Sequence, residues 1–187
     1  MNFVQPIRDL EKVREVRAFL ASRNERDELL FCFGIYTGLR ISDILKFRVR
    51  DVRGKNILIV REQKVQNTRK TNKTKRIPVQ PELQRLIKRF VENRPDDEYL
   101  FKSRQGKNKP ITRVRAYDIL REAAQATNLS EIGTHTLRKT FGYHIYAATK
   151  DVALLQDILN HSAPYITLKY IGVNQDAIEK AYGKLKF

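Results

Sequence analysis

The sequence has no tryptophan, a single cysteine and only three histidines among its 187 residues. One cysteine, Cys32, excludes a disulfide framework and any zinc site built on paired cysteines. The histidines, His135, His144 and His161, lack HExxH spacing, and no carboxylate cluster of metal-binding pattern stands near them. No apolar run approaches the roughly 18–20 residues of a membrane span. The opening MNFVQPIRDLEK carries acids where an export signal needs an apolar stretch. Internal repeats, low-complexity tails and linkers are also missing, so the length fits one domain of ordinary size. Cys32, set within LLFCFGIY, reads as a buried cysteine of a cytosolic protein.

What is present in excess is positive charge. Lys and Arg number 37 against 21 Asp and Glu, for a formal net of +16. The excess is localised. Residues 61–78 hold seven bases and one acid, and residues 102–115 hold six bases and no acid. Residues 8–28, by contrast, balance six of each. Concentrated charge of this kind suits a polyphosphate partner, through steering and counterion release. Neither basic stretch has the apolar helical face that an anionic membrane would require.

Periodicity places the elements. Apolar residues at 7, 10, 13, 16 and 19/20 predict a first helix over Ile7 to Ser22, and a second, apolar on every face, runs from about Glu25 to Tyr36. A break at TGLR precedes a short helix over 41–47. The β-branched texture of NILIV (56–60) and KRIPV (75–79), flanking a basic connection, predicts a small sheet or hairpin. Pro81 occupies the favoured first position of the next helix. QGKNKP reads as a loop, and Thr112 caps a helix reaching about Thr127. THTLRKTFGYHIYAATK, DVALLQDILN and NQDAIEKAYGKL are helical in period. The class is mainly α with one small antiparallel β-hairpin.

The candidate chemical residues fall in three stretches, beside the basic hairpin. Arg40 opens a helix in TGLRISDIL, where a guanidinium and backbone donors can hold a phosphate, and Asp43 lies on its face. His135 and Arg138, three apart in HTLRKTF, project together; His144 reads as packing or capping near a helix surface. HSAPYITLKYIG carries His161 and two tyrosines, Tyr165 and Tyr170. Singly, each residue has a plainer reading as a surface charge or a packed ring. Together they suit phosphoryl transfer: arginines neutralise a pentacoordinate phosphorane, a phenol attacks phosphorus, and a lysine protonates the departing oxygen.

These blocks, in this order, resemble the catalytic domain of the tyrosine recombinases, the phage-integrase family, over nearly the whole chain. TGLRISDIL looks like the family's first-arginine box, HTLRKTF like its His-x-x-Arg box, and LLQDILNHSAPYITLKY like its C-terminal box. In that last box a His or Trp precedes the nucleophilic Tyr by nine residues, which selects His161 and Tyr170. KTNKTKRIPV is similar to the family's β-hairpin, whose lysine stands eight residues before the Pro, selecting Lys70. Asn160 replaces the commoner Gly before this His and should take a left-handed conformation. Lys139 stands where a His is usual.

The resemblance implies the rest. Tyr170 would attack a phosphodiester to give a 3′-phosphotyrosine and a free 5′-hydroxyl, and a partner strand would reverse the step without ATP, cofactor or metal. Arg40, Arg138 and His161 would hold the nonbridging oxygens, Lys70 would act as acid, His135 would assist, Asp43 would support Arg40, and Tyr165 would pack. Arg69, Lys73, Lys75 and Arg76 of the hairpin, Lys107, Lys109, Arg113 and Arg115 of the second basic stretch, and Lys139 are the expected DNA contacts. The partners implied are double-stranded DNA with inverted-repeat sites and further copies of the chain, as a dimer on a site and a synaptic tetramer; no membrane is involved. The location implied is cytoplasmic, in a prokaryote, phage or mobile element. The pattern starts within about ten residues of Met1, so residues 1–187 would be a catalytic domain without core-binding or arm-binding domains, either part of a longer enzyme or a naturally short recombinase. A type IB topoisomerase-like enzyme and a non-catalytic DNA-binding protein of the same fold are the other readings.

Overall fold

Helix α2 (Glu25–Thr37) organises the chain. Leu29, Leu30, Phe31, Cys32 and Phe33 are each at most 1% exposed, as a helix with no polar stripe requires. Asn24 caps it by accepting the Arg26 N–H at 2.9 Å, and Glu25, Asp27 and Glu28 lie at the positive end of its dipole. The computed structural model describes residues 4–61, 74–130, 132–173 and 182–184. In it α1 (Leu10–Arg23), α5 (Pro81–Val91) and α7 (Thr134–Thr149) pack against α2.

The short helices α3 (Ile41–Ile44) and α4 (Val49–Val52) lead to strand β1 (Ile57–Arg61), which pairs antiparallel with β2 (Thr74–Pro78). Leu58 and Val60 point inward with Ile77, while Ile57 and Ile59 face water, the period-two pattern of a half-buried strand. Pro81 opens α5, whose Leu83, Leu86, Ile87 and Phe90 are buried at helical spacing. Thr112 caps α6 (Arg113–Ala126), its hydroxyl accepting the Arg115 N–H at 3.1 Å. The last described helices are α8 (Val152–Leu159) and α9 (Pro164–Ile171). The described chain is mostly helical with one two-stranded antiparallel sheet, the class expected.

Two boundaries are corrected. The helix expected over 41–47 ends at Ile44. The first helix begins at Leu10 rather than Ile7, because Asp9 accepts the Glu11 N–H at 2.8 Å and caps it there. Ile7 is buried for another reason: it lies in the segment before the helix and donates its N–H to Thr140 Oγ1. The connection holding Arg69, Lys70 and Lys73 lies outside the described residues, as does most of the helix expected over NQDAIEKAYGKL.

The buried apolar side chains form two clusters. The larger is built around α2. The smaller joins α7, α8 and α9 through Leu155, Leu159 and Ile171, with Phe141, Tyr143, Ile145, Tyr146 and Tyr170 packed against them. The candidate chemistry sits at the seam between these clusters.

Candidate active site

Three glycines bring the helices close enough to assemble the site. On α2, a Cβ at Gly34 would lie 2.5 Å from Leu137, and one at Gly38 would lie 2.3 Å from Phe141. Both neighbours are on one face of α7, four residues apart. On the far side of α7, a Cβ at Gly142 would lie 2.8 Å from Ile171 of α9. Gly38 also ends α2 at φ 64°, ψ 15°, which favours glycine. The close approach of α7 carries Arg138 to the end of α2, where its Nη1 donates to the Gly38 carbonyl at 2.7 Å. Its Nη2 donates to the Leu159 carbonyl at the end of α8, at 2.6 Å. Arg138 is only 2% exposed, and a guanidinium so buried needs such acceptors. Arg138 thus ties the ends of two helices to a third.

Tyr170 lies beside it. The charges of Arg138 and Arg40 act on its phenol, and the His161 ring stands nearly perpendicular to the Tyr170 ring with centroids 5.0 Å apart. His161 is aimed by two features. Asn160 turns left-handed at φ 52°, ψ 48°, as its place in the sequence predicts. Thr167 Oγ1 then meets His161 Nδ1 at 3.0 Å. Burial pushes the Tyr170 phenol above its ordinary range, against the pull of the Arg138 and Arg40 charges. Burial, then the charges of Arg138 and Arg40, pushes His161 down. His135, although its ring reaches the surface, is pushed down by partial desolvation and then by Lys139, Arg138 and Arg40. Both imidazoles are therefore neutral at pH 7 and able to take a proton. The phenol still holds one.

Tyr165, expected to pack, does not. It is 66% exposed. The buried positions of α9 are Thr167 and Ile171, four apart, and Tyr165 in the first turn falls off that face. Arg40 is exposed at the start of α3, and with His135, Arg138 and Arg113 it lines an open cavity of about 440 Å³. Asp43 is buried beneath, and its carboxylate pairs with Lys46 at 3.2 Å. Among the described residues it makes no hydrogen bond to Arg40.

The described residues expected to meet DNA divide into two sets. Arg76, Lys107, Lys109, Arg113 and Arg115 are exposed. Lys75 and Lys139 are half-buried: Lys75 donates to the Ile158 carbonyl, docking β2 on the end of α8, and Lys139 donates to the Val4 carbonyl at 2.7 Å. His144 meets the Ile7 carbonyl through Nε2 at 3.0 Å, a packing role. Burial pushes the Cys32 thiol up to about 12, consistent with an inert buried cysteine. Sequence reasoning missed Thr167, Ser42, Thr134 and Tyr117, the last three lining the cavity with Arg40. Thr167 had one readable signal, its position three residues before Tyr170 on the same helix. Among the described residues no group of three or more His, Cys, Asp or Glu is placed to hold a metal, and no helix is long and apolar enough to cross a membrane.

Residues 9–176 match the model of the phage integrase family. The chain is 52% identical over 182 residues to the probable integrase/recombinase YoeC of Bacillus subtilis, covering 97% of each. It is 28% identical over 178 residues to the tyrosine recombinase XerA of Pyrococcus furiosus, covering 91% of this chain and 60% of that one. Among solved structures, the XerA recombinase superposes with a TM-score of 0.75 at 19% identity, over 98% of this chain and 65% of the other. The XerH site-specific recombinase, in a post-cleavage complex with its palindromic difH substrate, gives 0.70 at 17% identity, over 98% and 54%. The chain thus spans nearly all of YoeC but between about half and two thirds of the Xer proteins.

Proposed function

Because the chain belongs to the phage integrase family, as a tyrosine recombinase catalytic domain, we propose that it cuts and rejoins DNA strands through a covalent bond to Tyr170. The observation that carries this reading is the Tyr170 ring set edge-on against His161 at 5.0 Å, with its phenol in the field of Arg138 and Arg40. A phosphodiester entering the cavity meets Arg40 and Arg138, whose charges stabilise the extra negative charge of the phosphorane. The Tyr170 oxygen bonds to phosphorus and its proton passes to neutral His135. The bond to the 5′-oxygen breaks, and Lys70 protonates that oxygen as it leaves. The products are a 3′-phosphotyrosine and a 5′-hydroxyl, and attack by the 5′-hydroxyl of another strand reverses the step. The ester bond energy is conserved, so no ATP is needed, and the charges of Arg40 and Arg138 fill the role that a metal ion would otherwise have.

XerH was solved on a palindromic substrate. By analogy, two copies of this chain would occupy an inverted-repeat site, and two such sites would form the synaptic tetramer.

The test uses duplexes selected by binding from a random-sequence pool and nicked at a series of positions, so that a cleaved fragment diffuses away and traps the adduct. Wild-type protein and Tyr165→Phe form an adduct that survives denaturation, and Tyr170→Phe forms none while binding the same duplex. Adduct formation by Tyr170→Phe contradicts the reading. Chelation of divalent ions leaves the yield unchanged; a loss that added Mg²⁺ restores removes the metal-free mechanism.

A further inference from the structure

The segment over residues 4–8 is held by α7 and by the end of α9, on both sides of Tyr170. The Ile7 N–H donates to Thr140 Oγ1 at 2.9 Å, and its carbonyl meets His144 Nε2 at 3.0 Å. The Arg8 guanidinium lies 5.6 Å from the centroid of the Tyr143 ring. At the other end, Arg8 and Gln5 cover Gly172, the residue that ends α9 two positions beyond Tyr170. A Cβ at Gly172 would lie 2.8 Å from Arg8 Nη2 and 3.3 Å from Gln5 Oε1. Between these anchors Lys139 donates to the Val4 carbonyl at 2.7 Å, with its ammonium 5.2 Å from the centroid of the Tyr170 ring. That is cation–π range, and a half-buried ammonium beside a ring interacts more strongly than an exposed one.

We propose that residues 4–8 are a strap that positions Tyr170, and that Lys139 is the positioning residue joining the strap to the tyrosine ring. The proposal rests on Tyr170 being the nucleophile. Lys139 follows the buried Arg138 directly and shares a face of α7 with Tyr143. Its ammonium therefore reaches the strap and the ring from the element that also carries Arg138. If the strap lifts, the Val4 carbonyl loses this donor and α9 loses the cover over its last residue. The ring is then free to leave the attacking position. A displacement of about 1 Å at a reacting centre can cost on the order of 10²-fold in rate. Lys139 was expected to touch DNA. A half-buried ammonium given to a backbone carbonyl serves this other purpose.

Lys139→Met keeps the apolar stem and removes the donor and the charge, whereas Lys139→Arg keeps both. On the nicked duplex that traps wild-type protein, Lys139→Met should form adduct about 10- to 100-fold more slowly at saturating DNA. The half-saturating DNA concentration should be unchanged, and Lys139→Arg should recover most of the rate. In the DNA-free protein, amides of α9 should exchange with solvent faster in Lys139→Met while those of α5 do not. Wild-type adduct rates and unchanged exchange in Lys139→Met overturn the strap and leave Tyr170 as nucleophile. A weaker DNA affinity with an unchanged saturated rate also overturns it, returning Lys139 to the DNA surface. Adduct formation by Tyr170→Phe removes the reading beneath the proposal, a failure distinct from these.

Discussion

Arg138 shows what a buried charge achieves in this protein. It is 2% exposed, ends against two carbonyls, and its charge acts on the phenol of Tyr170. Replacing it leaves carbonyls at the ends of α2 and α8 without a donor, so lost stability and lost chemistry are entangled there. The histidines allow a cleaner test. Folding holds His135 and His161 below their ordinary value of 6.5, so below that pH the unfolded chain binds more protons than the native one. The stability this represents is fully present above about pH 6.5 and is lost as pH falls through the lower folded values. The unfolding midpoint should therefore drop as pH falls below about 6.5, and His135→Gln with His161→Gln should flatten that drop. An undiminished drop in the double variant would assign the pH dependence to other groups.

Among the elements, the contact of α2 with α7 and of α7 with α9 decides where the chemistry stands, and glycines set both. Gly38→Ala would place a methyl 2.3 Å from Phe141 at φ 64°. Overpacking costs about 1–3 kcal/mol and a left-handed alanine about 1–2 more. A loss of about 2–5 kcal/mol in denaturant unfolding is expected, with the Gly38 carbonyl drawn away from Arg138; a loss below about 1 kcal/mol would mean that α7 relaxes freely. Much of this level was legible in the sequence. The Thr112 cap, Pro81 at a helix start, the all-apolar α2 and the left-handed Asn160 follow from local rules that tertiary packing does not override. The misread residues were those whose environment comes from elsewhere in the chain. Ile7 fitted a helical period but is buried by docking on α7, and Tyr165 resembled a packed ring but faces no layer. The pairing of His135 with Arg138 was legible because three residues bring both to one side of α7. Thr167 and the inward turn of Lys139 were not, since both depend on which helix lies opposite.

At the scale of the whole molecule, an even charge balance at residues 8–28 contrasts with the two basic stretches. Duplex binding should weaken steeply with salt, with a log–log slope of about −0.9 per phosphate contact. Lys107→Ala with Lys109→Ala should make that slope shallower by up to about 1.8, since both residues are exposed. An unchanged slope would place DNA on another face. Tyr170 is the residue proposed to become covalently attached to DNA, and trypsin separates the two candidate tyrosines. Cleavage after Lys150, Lys169 and Lys180 leaves Tyr165 within 151–169 and puts Tyr170 first in 170–180. Mass spectrometry of the trapped adduct, digested with nuclease and trypsin, should find the 3′-linked nucleotide on the peptide derived from residues 170–180. A nucleotide on the 151–169 peptide, or on a serine, histidine or lysine anywhere in the chain, would contradict the account.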